Sequence, residues 1–148
     1  MSVYLDSSAI VKLYAPEPDS AALVAYVQGL REPLTFSPLH DLEVKNALRL
    51  KVFRKEAPSS QVLKSIRTID KDLSQEILKR PDLNWPDVFR KADELSKRFS
   101  SRSGSRSLDL LHVASCLLLS SRDFLTFDDR QAKVARKAGL RLVLLKGK

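Results

Sequence analysis

The chain has little of what stabilises secreted proteins or holds proteins in membranes. It contains one cysteine, Cys116, which cannot form an internal disulfide. Its apolar runs, such as residues 117–119, are far shorter than the roughly 20 residues that a membrane-spanning helix needs. No basic segment followed by an apolar stretch and a small-residue cleavage site opens the sequence. We therefore expect a soluble cytoplasmic protein with no membrane partner, in which Cys116 is a small buried side chain.

Negative charge is scarce relative to positive charge. The 148 residues include 26 Lys and Arg but only 18 Asp and Glu, which gives a formal net charge of +8. Such an excess favours a polyanionic partner, and nucleic acid is the first candidate. A basic surface that serves only solubility is the alternative. With 43% hydrophobic residues, the chain is long enough to bury a core, and we expect residues 1–148 to form a single domain.

Strand and helix patterns alternate towards both ends of the chain, whereas the middle is helical. This alternation predicts an α/β fold with a parallel sheet. The predicted strands cover Val3–Leu5, Leu34–Ser37, Leu83–Trp85, Phe124–Phe127 and Leu140–Leu145. Apolar residues at helical spacing predict one long helix from Ser59 to Lys79. The polar stretch between Phe99 and Leu108 contains Arg102 and Arg106, and its composition predicts a mobile basic loop.

Four acidic residues lie where strands give way to helices: Asp6, Glu43, Asp109 and Asp128. Asp6 and Asp128 each follow a predicted strand, and ligands bind at the carboxyl ends of strands in open α/β sheets. If the four carboxylates met, each pair about 4 Å apart would cost on the order of 1 kcal/mol in water and about 4 kcal/mol at an effective dielectric of 20. Such a cluster needs a cation, and oxygen ligands suit Mg²⁺ or Mn²⁺.

Each acid also has a simpler interpretation. Asp128 is suited to capping the following helix, and Asp109 to complementing the dipole in a first turn. Glu43 fits an exposed helix position. If the acids instead form one metal site, the ions would activate water and neutralise charge during phosphodiester hydrolysis, and no protein nucleophile would be required.

Basic residues near these acids are candidates for contacts with phosphate groups. Lys45 and Arg49 follow Glu43 on the same predicted helix, and Arg102 and Arg106 precede Asp109. A solvated helix face is an equally good explanation for the cations after Glu43.

Four segments together resemble the PIN-domain ribonucleases, most closely the VapC-like toxins of prokaryotic toxin–antitoxin pairs. These segments are YLDSSAIVKLY, SPLHDLEVKNAL, SLDLLHVASCLLL and FLTFDDRQAKVARKAGL. The resemblance implies a three-layer α/β/α domain with a central parallel sheet of four to five strands. It also implies that the four acids bind metal and carry the reaction, with Ser8 and Thr126 as supporting polar residues. Asp129, beside Asp128, leaves the fourth position ambiguous.

The same resemblance implies an endoribonuclease that depends on Mg²⁺ or Mn²⁺, acts on RNA, forms a homodimer and is inhibited by a small antitoxin. A housekeeping PIN-type nuclease for RNA processing is the first alternative. A non-catalytic basic domain that binds nucleic acid would explain the charge but not the position of the acids. A phosphatase of the haloacid dehalogenase type needs Asp-x-Asp, whereas this chain has Ser8 two residues after Asp6.

Overall fold

The structure is a computed structural model that describes residues 2–145. These residues divide into two compact units, each with parallel strands and helices. The first, which we call the N/C unit, comprises residues 2–6 and 81–144, and the second, the middle unit, comprises residues 7–80 together with residue 145. The predicted α/β class with parallel strands is therefore confirmed.

The strands in the described residues are β1 (Val3–Leu5), β2 (Leu34–Thr35), β3 (Leu78–Lys79), β4 (Asp123–Leu125) and β5 (Arg141–Leu142). The helices are α1 (Ser7–Tyr14), α2 (Ser20–Gln28), α3 (Pro38–Phe53), α4 (Ser59–Ser74), α5 (Trp85–Leu95), α6 (Ser101–Ser103), α7 (Ser107–Leu118) and α8 (Asp129–Lys137). A π-helical segment, Ser96–Ser100, joins α5 to α6. No helix among residues 2–145 is both long and apolar enough to cross a membrane.

The N/C unit is built on a three-stranded parallel sheet in the order β1-β4-β5. Leu5 of β1 is paired with Leu125 of β4, and both side chains are buried. Helix α7 packs against α5 and α8 and buries Val113 and Cys116. The expected burial of Cys116 is thus confirmed, and burial raises the pKa of its thiol to about 12.

The middle unit contains the two-stranded parallel sheet β2-β3, and within it α1 packs against α2, α3 and α4. Its core includes Ile10, Leu23, Leu48 and Ile69. Burying each of these side chains contributes about 1.5–3 kcal/mol relative to leaving it exposed. The five strands agree with the predicted number, and they pair as three plus two within the two units.

Between Ser74 and Trp85 the structure differs from the prediction in two places. The helix expected to reach Lys79 ends at Ser74, because Glu76 adopts a left-handed conformation with φ of 58°. The chain then extends as β3, and no strand forms at Leu83–Trp85. Instead the side chain of Asn84 accepts a hydrogen bond from the Asp87 N–H at 3.1 Å and caps α5.

The mobile basic loop expected between Phe99 and Leu108 was also wrong over most of its length. Residues 96–103 continue the helical path beyond α5. Ser103 donates its hydroxyl hydrogen to the carbonyl oxygen of Phe99 at 2.9 Å, a bond that is compatible with helical backbone. Gly104, with φ of 66°, ends the helical path and leaves only a short connection to α7. The last strand, predicted over Leu140–Leu145, is shorter than expected.

Candidate metal centre

Asp6 and Thr126 lie side by side at the carboxyl edge of the N/C sheet. Asp6 follows β1 and Thr126 follows β4, two neighbouring parallel strands that end at the same edge. The Asp6 N–H donates to the carbonyl oxygen of Leu125 at 3.2 Å. The two side chains therefore point into the same region, and they meet directly.

The carboxylate of Asp6 is buried and held by two side chains. Its residue is only 2% exposed, and Oδ2 accepts hydrogen bonds from Thr126 Oγ1 at 2.5 Å and from Gln131 Nε2 at 3.2 Å. Thr126 Oγ1 also accepts a hydrogen bond from the backbone N–H of Asp128 at 3.0 Å. Thr126 thus links the side chain of Asp6 to the backbone of Asp128 at the start of α8, and these bonds fix the positions of Asp6 and Asp128 relative to each other.

Asp128 is the N-cap of α8. Its Oδ1 accepts hydrogen bonds from the N–H groups of Arg130 at 2.8 Å and Gln131 at 3.1 Å. The simpler interpretation of this acid, as a helix cap, is therefore present in the structure. A carboxylate has two oxygens, and the cap engages Oδ1, so capping is compatible with metal binding through Oδ2.

Asp109 lies in the first turn of α7, where its Oδ2 accepts a hydrogen bond from the Arg106 N–H at 3.3 Å. Burial raises the pKa of Asp109, and the negative charge of Asp128 raises it further. The hydrogen bond from Arg106 and the charges of Arg106 and His112 lower this pKa but do not outweigh the burial and repulsion. Burial is thus the main reason for the raised pKa, and the charge of Asp128 contributes less.

Glu43 belongs to the middle unit, on α3. Its Oε1 accepts a hydrogen bond from Ser7 Oγ at 2.7 Å. Ser7, which is the residue after Asp6 in the sequence, begins α1, and Ser8 is half-buried in the first turn of the same helix. The sequence pattern singled out Ser8 and missed Ser7 as the partner of Glu43.

The donor set of the N/C unit suits a hard cation. In the described part of the chain, no group of three or more His, Cys, Asp or Glu side chains is arranged to hold a metal ion. Asp6, Asp109 and Asp128 nevertheless offer oxygen ligands, and a divalent cation would relieve the repulsion that raises the pKa of Asp109. The buried Oε1 of Gln131 is a further polar atom at this place, and no group of residues 2–145 donates to it.

Gln131 was missed by the sequence analysis. It lies on the buried face of α8 with Val134 and Ala135, three and four positions later. Residues at this spacing share a face of a helix, so the face of Val134 and Ala135 also contains a glutamine. A polar side chain on an otherwise apolar face is the signal that could have identified it.

The four candidate RNA-contacting residues differ in whether their charges are already paired with acidic side chains. Lys45 forms ion pairs with Asp41 at 2.8 Å and Asp70 at 3.2 Å, so its charge is already compensated. Arg49, on the same helix, is exposed, and no acidic side chain among the described residues pairs with it. In the N/C unit, the Arg102 side chain donates to the carbonyl oxygen of Arg98 at 3.0 Å. Arg106 forms an ion pair with Asp109, with 3.9 Å between Nε and Oδ2.

Comparison with known proteins shows that most of the chain matches the PIN-domain family. A family profile described as PIN domain matches residues 3–137. Ribonuclease VapC46 of Mycobacterium tuberculosis is 31% identical over 150 residues, which cover 96% of each chain.

Two solved structures share the fold. The first is VapC20 of Mycobacterium tuberculosis, a toxin that cleaves the sarcin–ricin loop. It matches with a TM-score of 0.67 and 13% identity over 89% of this chain and 94% of that one. FitAcB of Neisseria gonorrhoeae matches with a TM-score of 0.63 and 16% identity over 97% of both chains. These matches confirm the fold, and at such low identity they carry no residue roles.

Proposed function

The chain belongs to the PIN-domain family and is VapC-like, and from this premise we propose that it is a metal-dependent endoribonuclease that acts as the toxin of a toxin–antitoxin pair. The observation that carries the proposal is the chain of contacts at the edge of the N/C sheet. Asp6 is bound to Thr126, Thr126 is bound to the backbone of Asp128 at the start of α8, and α8 packs against α7, which carries Asp109. The named relatives are ribonucleases or toxins, which supports both halves of the proposal.

We assign metal binding and the catalytic role to Asp6, Asp109 and Asp128, with Glu43 as the fourth acid. Support for Glu43 comes from the resemblance and from its hydrogen bond to Ser7. When bound, Mg²⁺ or Mn²⁺ would supply an activated water and neutralise charge on the phosphate. The residues of the chain would bind the cation and orient its ligands.

Each residue has a defined task in that scheme. Thr126 orients Asp6 by donating to its Oδ2, and it holds the start of α8 through the Asp128 N–H. Ser7 orients Glu43, and Ser8 is a further supporting residue at the start of α1. His112 is not assigned to the reaction, because it is buried and its Nδ1 is hydrogen-bonded to the Tyr4 hydroxyl at 2.8 Å.

The substrate we propose is RNA, which the net charge of +8 favours. Arg49, Arg102 and Arg106 are the candidate phosphate contacts, and Lys45 is a weaker candidate because of its ion pairs. The resemblance further supports a single PIN domain over residues 1–148, a homodimer in the cytoplasm and a cognate antitoxin that blocks the acidic site. These finer features rest on the family and not on contacts in the structure.

Expression in a bacterial host tests the proposal. The wild-type chain should arrest growth, and co-expression of its proposed antitoxin, which we expect to be encoded beside it, should relieve the arrest. Asp6→Asn should remove toxicity, because it removes a proposed metal ligand. Asp129→Asn, which changes an exposed neighbour of the site, should remain toxic. A chain that cuts RNA in vitro but never arrests growth would favour the housekeeping nuclease, and toxicity that survives Asp6→Asn would contradict the assignment.

A further inference from the structure

Gln131 contacts two of the proposed metal-binding acids at once. Its side-chain Nε2 donates to Asp6 Oδ2 at 3.2 Å, and its backbone N–H donates to Asp128 Oδ1 at 3.1 Å. The residue is only 2% exposed, so water competes little with these bonds. Because an ionised carboxylate only accepts hydrogen bonds, the amide must present its NH₂ group to Asp6. Its carbonyl oxygen is therefore the atom that faces away from Asp6.

That carbonyl oxygen, Oε1, is buried and has no hydrogen-bond donor in the part of the chain that the structure describes. Leaving a buried acceptor unsatisfied costs about 1–3 kcal/mol, and native proteins rarely keep such atoms without a reason. An apolar residue of similar size would avoid this cost, since Val134 and Ala135 on the same face are apolar and buried. The amide therefore serves more than packing.

We propose that Gln131 is a positioning residue for the divalent cation. Its Nε2, together with the Thr126 hydroxyl, binds Asp6 Oδ2 and so holds this carboxylate in place for the cation. The inference rests on the proposed function, because it takes the cation from there, and it adds a residue that the resemblance does not assign.

A purely structural role is the competing explanation, in which Gln131 only satisfies buried Asp6. The two explanations differ in what they predict for cation affinity. Removing a residue that orients a metal ligand typically lowers metal affinity about 10- to 100-fold. A residue that only stabilises the fold would lower the melting temperature without changing the affinity of the folded protein.

Binding of Mn²⁺ to the RNA-free protein, followed by the electron paramagnetic resonance signal of free Mn²⁺, separates these explanations without using activity. Gln131→Met keeps the length of the side chain and removes both polar atoms. Gln131→Asn keeps the amide group on a side chain that is one methylene shorter. It provides the same test if the methionine variant does not fold. Val134→Ala is the matched control, because it creates a cavity on the same buried face of α8 and removes no hydrogen-bonding group.

We expect both Gln131 variants to lose Mn²⁺ affinity by about 10- to 100-fold, and Val134→Ala to bind as the wild type does while melting at a lower temperature. If the Gln131 variants bind Mn²⁺ like the wild type, or if Val134→Ala loses as much affinity as they do, the positioning role is overturned and the nuclease proposal stands. If the wild-type protein itself binds no Mn²⁺, both proposals are overturned.

Discussion

At the scale of single residues, two of the acids have structural roles that are compatible with the metal binding we propose. Asp128 caps α8 with Oδ1, and Asp109 accepts a hydrogen bond in the first turn of α7. Each bond stabilises a helix end by about 0.5–2 kcal/mol. Burial raises the pKa of Asp109, and repulsion from Asp128 adds a smaller contribution in the same direction, which opposes that gain. Repulsion that a cation would relieve is what distinguishes a binding site from two separate caps.

This repulsion predicts that Asp109→Asn stabilises the metal-free protein. The pKa of Asp109 is higher in the folded protein than in the unfolded chain, so folding favours the protonated side chain. The contribution of Asp109 to the free energy of unfolding is therefore lost as the pH rises through the pKa of the folded protein. At neutral pH in EDTA, relief of about 1 kcal/mol should raise the melting temperature by about 3 °C. At about pH 3, below the ordinary aspartate pKa, the wild-type side chain is also protonated and the difference should vanish.

Asp129→Asn is the control for that measurement. Asp129 is an exposed acid in the first turn of α8, so its loss removes only a favourable interaction with the helix dipole and should leave the melting temperature unchanged or slightly lower. Mg²⁺ should protect the wild type more than Asp109→Asn, since stabilisation follows affinity for the folded state. An Asp109→Asn protein that is less stable in EDTA and equally protected by Mg²⁺ would show that Asp109 is only a cap.

The residues that sequence reasoning found are those with local signals. Asp6 and Asp128 follow apolar runs, and Thr126 lies within a recognisable segment. Ser7 and Gln131 were missed because their hydrogen bonds join residues that are 36 and 125 positions apart in the chain. Local periodicity can mark Gln131 as a polar residue on an apolar helix face, but only the fold reveals which residues these two side chains contact.

At the scale of elements, local chemistry decided which predictions succeeded. The strand β1 was predicted correctly from a short apolar run, whereas β4 begins one residue earlier and ends two residues earlier than predicted. The segment Leu83–Trp85 was wrongly predicted as a strand, although Asn84 before Trp85 and Pro86 is a helix N-terminus signal. The end of α4 was not predictable from propensity, because the left-handed conformation of Glu76 is unusual for a residue with a side chain.

Helix α3 supports a prediction about RNA binding. Arg49 is exposed and unpaired among the described residues, whereas Lys45 is compensated by Asp41 and Asp70. Arg49→Ala should therefore weaken binding of single-stranded RNA and reduce the slope of log affinity against log salt by about 0.7 for a lost phosphate contact. Fluorescence anisotropy across a salt series measures both quantities.

Lys45→Ala is the matched variant on the same helix. Its ion pairs are partly exposed, so their loss should cost about 0–1 kcal/mol of folding stability. We expect it to change the salt dependence of RNA binding less than Arg49→Ala does. Equal effects of the two substitutions would mean that RNA contacts α3 through both residues or through neither.

At the scale of the whole molecule, the net charge of +8 contrasts with the acids that we propose as the metal site. A basic protein attracts RNA, while a cluster of carboxylates repels phosphate unless a cation intervenes. The central claim is therefore that water, activated with the help of a divalent cation, cuts the RNA. In this proposal, neither a side chain nor the ribose 2′-hydroxyl is the nucleophile.

The chemistry of the RNA ends, measured in Mg²⁺ and in EDTA, tests this claim most directly. Water attacks the phosphorus atom, and the bond between phosphorus and the 3′-oxygen breaks. One product then ends in a 3′-hydroxyl and the other begins with a 5′-phosphate. We predict these ends in Mg²⁺ or Mn²⁺ and no cleavage in excess EDTA. Ends with a 2′,3′-cyclic phosphate and a 5′-hydroxyl, or cleavage that persists in EDTA, would contradict the account.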